Sequence, residues 1–244
     1  MALVGFLFVL AIRGAIAQAE KVLEISEEKR NANLLDNLGN YPDLEVLSIS
    51  CLETLQSLPE SIGKLHKLNE LKIDNGNGCA MNPVLPESIG DLQSLEKLVL
   101  YGAQDTRGVG KHKGPQPGER HEFPNSMSRL KNLKYLDLGR NGFERIPPFV
   151  GELSNLRELG FEWNIKFKEV PAFIGNLGEL TTLKLQGNDL EDLPDLLNSL
   201  PKLGRITLGN NCKITQNEAK MKELKTRFSK ITIDFEDEYD CPAK

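Results

Sequence analysis

Residues 58–71 read LPESIGKLHKLNEL, and residues 85–98 read LPESIGDLQSLEKL. The two stretches match at every leucine, at the proline and at the isoleucine-glycine step. Self-similarity at a fixed spacing marks a repeat architecture. Working outward, the pattern L-x-x-L-x-L recurs at Leu44/Leu47/Ile49, Leu68/Leu71/Ile73, Leu95/Leu98/Leu100, Leu133/Leu136/Leu138, Leu156/Leu159/Phe161, Leu180/Leu183/Leu185 and Leu203/Ile206/Leu208. A degenerate eighth copy is Phe228/Ile231/Ile233. Successive copies start 24, 27, 38, 23, 24, 23 and 25 residues apart. An apolar-proline step follows six of them, at Leu58-Pro59, Leu85-Pro86, Phe123-Pro124, Ile146-Pro147, Val170-Pro171 and Leu193-Pro194.

Each unit has a physical reading. The L-x-L core is a short strand whose alternating leucines point one way. Asn141, Asn164, Asn188 and Asn211 stand where the chain leaves the strand, and an asparagine there can satisfy turning backbone groups. The proline restricts φ and starts the return segment. One unit cannot hide its apolar face alone, so the units must stack. The expected class is α/β: a curved solenoid with a parallel sheet on the concave side and irregular or short helical segments on the convex side.

The units resemble the leucine-rich repeat family in its form of about 23 residues with an LPxxI signature. The resemblance covers roughly residues 44–235. It is closest in style to bacterial, exported spirochaete (Leptospira-like) proteins of that family. It implies a horseshoe-shaped, non-enzymatic protein-binding module, with contact to a host or cell-surface protein as one expectation.

The remaining chain divides around the repeats. Residues 3–12 (LVGFLFVLAI) are apolar and precede Ala15-Ile16-Ala17, the pattern of a secretory signal peptide, so residues 1–19 are expected to be cleaved. A first helix of a cytoplasmic protein is the alternative. Residues 20–43 are expected to form the N-terminal cap, with Val22, Leu23 and Ile25 in an irregular strand and Leu34, Leu35 and Leu38 on a helix. The repeats occupy 44–214. Residues 215–244 are expected to supply a capping helix opened by the capping box Thr215–Glu218, with Ala219, Met221, Leu224 and Phe228 inward. A last strand and a solvated acidic tail follow.

The 244 residues carry a formal net charge of −5, which argues against a general nucleic-acid binder. No apolar run approaches the length of a membrane-spanning helix. Cys51, Cys79, Cys212 and Cys241 form no metal-ligand pattern, and they permit either disulfides or buried thiols. None of His66, His112 and His121 has a nucleophile at a recognisable spacing, so no catalytic residue, metal or cofactor is expected. A single chain acting as a monomer is the expected state.

Binding is the expected function, because the residues between the strand leucines face outward as a rigid, pre-ordered surface. The expected contact set is Tyr101, Tyr135, Asp137, Arg140, Glu158, Glu162, Trp163, Lys184 and Arg205, with aromatics and arginine as anchors. Gly139, Gly160, Gly187 and Gly209 are expected to thin this face and admit a partner's backbone. The third unit carries a Gly/Pro-rich insertion at 104–121, whose Arg107, Lys111, Lys113 and Arg120 form a possible second contact. Alternative functions are a cytoplasmic scaffold or regulator and a carbohydrate-binding protein.

Overall fold

The computed structural model describes residues 21–26, 32–52, 55–75, 83–102, 123–239 and 241. The proposed leader at 1–19, the loop at 104–121 with its four basic residues, and Cys79 lie outside the described residues.

Among the described residues, nine strands run parallel in one sheet, in sequence order: β1 Val22–Ser26, β2 Val46–Ser50, β3 Glu70–Asp74, β4 Lys97–Tyr101, β5 Tyr135–Asp137, β6 Glu158–Gly160, β7 Thr182–Lys184, β8 Arg205–Thr207 and β9 Thr232–Asp234. The register follows the leucines. Leu23, Leu47, Leu71, Leu98, Leu136, Leu159, Leu183, Ile206 and Ile233 stand side by side across the sheet. Seven of the nine are fully buried; only the end members Leu23 and Ile233 keep slight exposure. A one-residue slip would turn every leucine into solvent, which is why the register holds. The N-terminal strand is regular rather than irregular, because β1 pairs with β2 along its whole length.

Six return segments form five-residue 3-10 helices, each with its proline at the N-cap. Those prolines have φ between −55° and −77°, the range their rings impose. The tight helix carries an apolar residue such as Ile62 or Ile89 into the core, and the leucine after it, Leu65 or Leu92, closes the turn. The glycine that follows the isoleucine has a reason. A Cβ on Gly90 would collide with the Ser126 carbonyl oxygen, and one on Gly63 would lie 2.8 Å from that of Ser88. Neighbouring helices touch only because those side chains are missing.

The expected asparagine role is present in detail. Asn164 Nδ2 donates to the Leu138 and Phe161 carbonyls at 3.0 and 3.1 Å, while its Oδ1 accepts from Asn141 N and Phe143 N. Asn211 repeats the arrangement one end further on, bonding Leu185 O, Leu208 O and Leu190 N. Asn75, one position out of phase with the others, is buried and donates to Gly102 O.

The C-terminal cap differs from expectation. Thr215 ends a short helix α1 (Cys212–Thr215), and helix α2 (Glu218–Arg227) is capped by Asn217, whose Oδ1 accepts from Lys220 N at 3.1 Å. Asn217 wins because it directly precedes the helix, the position where a short side-chain acceptor reaches the free amides. Leu224 and Phe228 are buried, Met221 is half-buried and Ala219 is exposed. Cys212 is bridged to Cys241 across 29 residues, and Cys51 is also disulfide-bonded. Free thiols are therefore excluded at the described cysteines.

Candidate functional site

Outward side chains on the concave sheet fall into three rows. The first runs Glu70, Lys97, Tyr135, Glu158, Thr182, Arg205. The second runs Lys72, Val99, Asp137, Gly160, Lys184, Thr207. Tyr101, Gly139, Glu162, Gln186 and Gly209 follow the strand ends as the third. The expected contact residues thus come together on one face, apart from Arg140 and Trp163, which sit on its rim.

Tyr135 occupies the centre. Its ring lies 5.6 Å from Lys97 Nζ on one side and 5.5 Å from Lys184 Nζ on the other. Each lysine is also paired, Lys97 with Glu70 at 2.8 Å and Lys184 with Glu158. Burial and then the nearby Asp137 charge push the Tyr135 phenol up to about 12, so it remains a hydrogen-bond donor.

Beside Tyr135, two carboxylates lean over the bare backbone of Gly160. A Cβ there would lie 2.8 Å from Glu162 Oε2 and 3.0 Å from Asp137 Oδ1. Asp137 accepts from Gly139 N at 2.9 Å, yet burial still raises its carboxyl above the usual range. Glu162 is 9% exposed, and its Oε2 has no hydrogen-bond partner. Burial first, and the Asp137 charge second, lift its carboxyl to about 7.

The rim has a backbone cause. Cys51, Gly102, Arg140, Trp163, Gly187 and Asn210 all have positive φ, between 45° and 70°, where the chain turns out of the strand. This left-handed bend turns the Arg140 and Trp163 side chains along the sheet edge. Arg140 therefore lies between two rings, 5.7 Å from Tyr101 and 5.9 Å from Trp163. Trp163 in turn meets Tyr239 edge-on at 5.3 Å. Tyr239 belongs to the acidic tail, which is exposed but fastened: Glu238 N donates to Asn210 Oδ1 at 2.7 Å, and Asp237 accepts from Asn210 N. Sequence reasoning missed Tyr239 because 75 residues of chain separate it from Trp163 and the tail carries no repeat signature.

The glycine expectation is corrected. The gaps are filled by this chain: Tyr101 lies on Gly139, Trp163 on Gly187, the two carboxylates on Gly160, and the Glu236 carbonyl on Gly209. At the C-terminal end of the face the rows open into a hollow of about 500 Å³, lined by Glu158, Glu162, Lys184, Arg205, Asp234 and Glu236 among others. Arg205 pairs there with Asp234 at 3.0 Å. Among the described residues, no three His, Cys, Asp or Glu side chains converge as metal ligands, and no helix is long and apolar enough to cross a membrane.

No family model matches the chain. Among solved structures it resembles a leucine-rich repeat protein of Leptospira interrogans, with 24% identity, TM-score 0.51, and coverage of 85% of this chain and 60% of that one. Internalin C2 of Listeria monocytogenes aligns with 21% identity and TM-score 0.49 over 81% of this chain and 74% of that one. Among curated proteins, the disease resistance protein RML1A of Arabidopsis thaliana is 27% identical over 183 residues, 75% of this chain and 16% of that protein. The human volume-regulated anion channel subunit LRRC8A is 34% identical over 88 residues, 36% of this chain and 11% of that protein. The chain thus spans a small fraction of the curated relatives it matches. Nine parallel strands in sequence order among the described residues, short 3-10 returns and the bonded turn asparagines define the fold, which is that of a leucine-rich repeat solenoid.

Proposed function

We propose that this solenoid is a non-enzymatic module, exported and acting as a monomer, that binds a protein partner through its concave face. One observation carries the reading. From β3 to β8, charged and aromatic side chains recur along the outward rows and are held in place by cross-strand pairs. Such a surface is already ordered before binding, so little conformational entropy is lost on docking. Tyr135 between two lysines, and Arg140 between two rings, are the residue types that anchor interfaces. A carbohydrate ligand fits less well, because the Trp163 ring is packed on Gly187 and flanked by Arg140 and Tyr239 rather than presented as an open platform.

Export is supported by the apolar run at 3–12 ahead of small residues and by the disulfides at Cys51 and Cys212–Cys241, since such bonds persist in oxidising compartments. Mass spectrometry of the N-terminus of the native protein tests it: a mature start near Gln18 to Glu20 is expected, and an intact leader would favour the cytoplasmic scaffold. The binding face is tested by capturing partners with the wild-type chain and with Tyr135→Ala/Arg140→Ala. Loss of the captured protein is expected. Equal capture by both would overturn the concave reading.

A further inference from the structure

Resting on that concave-face reading, we propose that the Asp137–Glu162 carboxylate pair beside Gly160 receives a basic side chain of the protein partner, a lysine ammonium or an arginine guanidinium.

Three observations converge. First, the pair is built rather than scattered: both carboxylates lean over the only β6 position that lacks a side chain, and any other residue at 160 would displace them. Second, Glu162 is nine-tenths buried and its Oε2 accepts nothing. A buried acceptor without a donor carries its full desolvation cost, which a ligand's N–H would remove once the Glu162 side chain turns that oxygen towards the hollow it lines. Third, the neighbouring cations are committed elsewhere. Lys184 pairs with Glu158, Arg205 with Asp234, Lys97 with Glu70 and Lys72 with Asp74. The adjoining hollow adds Glu236 and Glu238, so its lining carries more negative than positive charge.

The class of ligand follows. Two carboxylates, without a third ligand among the described residues, suit an organic cation with several N–H donors better than a metal ion. The groups facing Glu162 are Asp137 and Tyr135 on β5, Tyr101 on β4, Glu158 on the preceding strand β6 and Lys184 on β7. Asp74 acts on the pair through Asp137. A cation arriving among these groups favours the ionised pair, so docking releases a proton and strengthens as the pH rises through neutrality.

The test is an NMR titration of the isotopically labelled full chain with a hexa-arginine peptide, run at about pH 8 and about pH 5.5. At the higher pH, shifts are expected to concentrate at residues 135–139 and 158–162. Asp137→Asn/Glu162→Gln is expected to weaken binding about tenfold, which corresponds to about 1.4 kcal/mol. Glu60→Gln/Glu152→Gln, which removes equal charge from the return segments, is expected to change it less than about twofold. Glu162→Gln is expected to flatten the pH dependence and to raise the melting temperature at the higher pH. Equal losses in the two double variants, or shifts centred elsewhere, would overturn the proposal. A captured partner that needs Tyr135 but binds Asp137→Asn/Glu162→Gln undiminished would overturn it too, while leaving the concave-face reading standing.

Discussion

At the scale of single residues, Glu162 and Trp163 are the most exposed to test. Glu162 has a folded-state carboxyl raised to about 7 from 4.5, with burial the largest cause. The folded chain therefore holds a proton that the unfolded chain has released. Stability is full below about pH 4.5, falls as the pH rises towards 7, and is flat above it, with a total loss of roughly 3 kcal/mol. Asp137 is shifted in the same direction and steepens the acidic part of the fall. Chemical unfolding across that range should show this slope, and Glu162→Gln should remove most of it; a slope unchanged in the variant would mean the carboxyl is not so shifted. Trp163 is the chain's only tryptophan. It holds φ of 58°, a region costly to a bulky residue. Its contact with Tyr239 makes its fluorescence a reporter of tail docking. Tyr239→Ala should shift that emission to longer wavelength while changing the melting temperature little, since Tyr239 is 59% exposed.

At the scale of elements, the return helices and the asparagine ladder set the repeat geometry. Gly90→Ala must push against the Ser126 backbone rather than a flexible side-chain tip, so a loss of about 1–3 kcal/mol is expected in chemical unfolding. Gly178→Ala meets nothing within 4 Å and should be neutral or slightly stabilising. Equal effects at the two positions would refute the close-approach account of the IG step. Asn164→Ala strands the Asn141 and Phe143 amides and takes the side-chain donor from the Leu138 carbonyl, while Phe161 O keeps Asn188 Nδ2, so about 2–4 kcal/mol should be lost, with the melting temperature falling accordingly. The two unlike caps have the same cause: the end leucines need cover, and β1 with its 3-10 helix and α2 with β9 supply it from whatever sequence is at hand.

At the scale of the molecule, the solenoid is stabilised by neighbours alone, so its ends fray first. The Cys212–Cys241 bridge closes the C-terminal end by tying the tail back to α1. Loss of this bridge alone, as in Cys212→Ser/Cys241→Ser, should lower stability by about 3–4 kcal/mol. It should also release Tyr239 from Trp163, so the fluorescence change expected of Tyr239→Ala should appear in the wild type on adding reductant. Reduction that leaves both stability and emission unchanged would mean the tail is held by its Asn210 hydrogen bonds alone.

Period determined a great deal. A leucine pattern recurring every 23 to 27 residues, with one interval of 38, is enough to specify strand register, sheet direction and which side chains face out, because only stacking in phase hides every leucine at once. That Tyr135, Asp137, Glu158, Lys184 and Arg205 share one outward face was legible for the same reason. What the glycines do was not legible. From the chain alone Gly139, Gly160, Gly187 and Gly209 read as openings for a partner, whereas the fold fills each one from a neighbouring unit or from the tail. The same holds for the Asn217 cap, the Trp163–Tyr239 contact and the stranded Glu162 oxygen. These depend on distances between units and on the left-handed bend after each strand, and only the packed chain brings those groups within reach of one another.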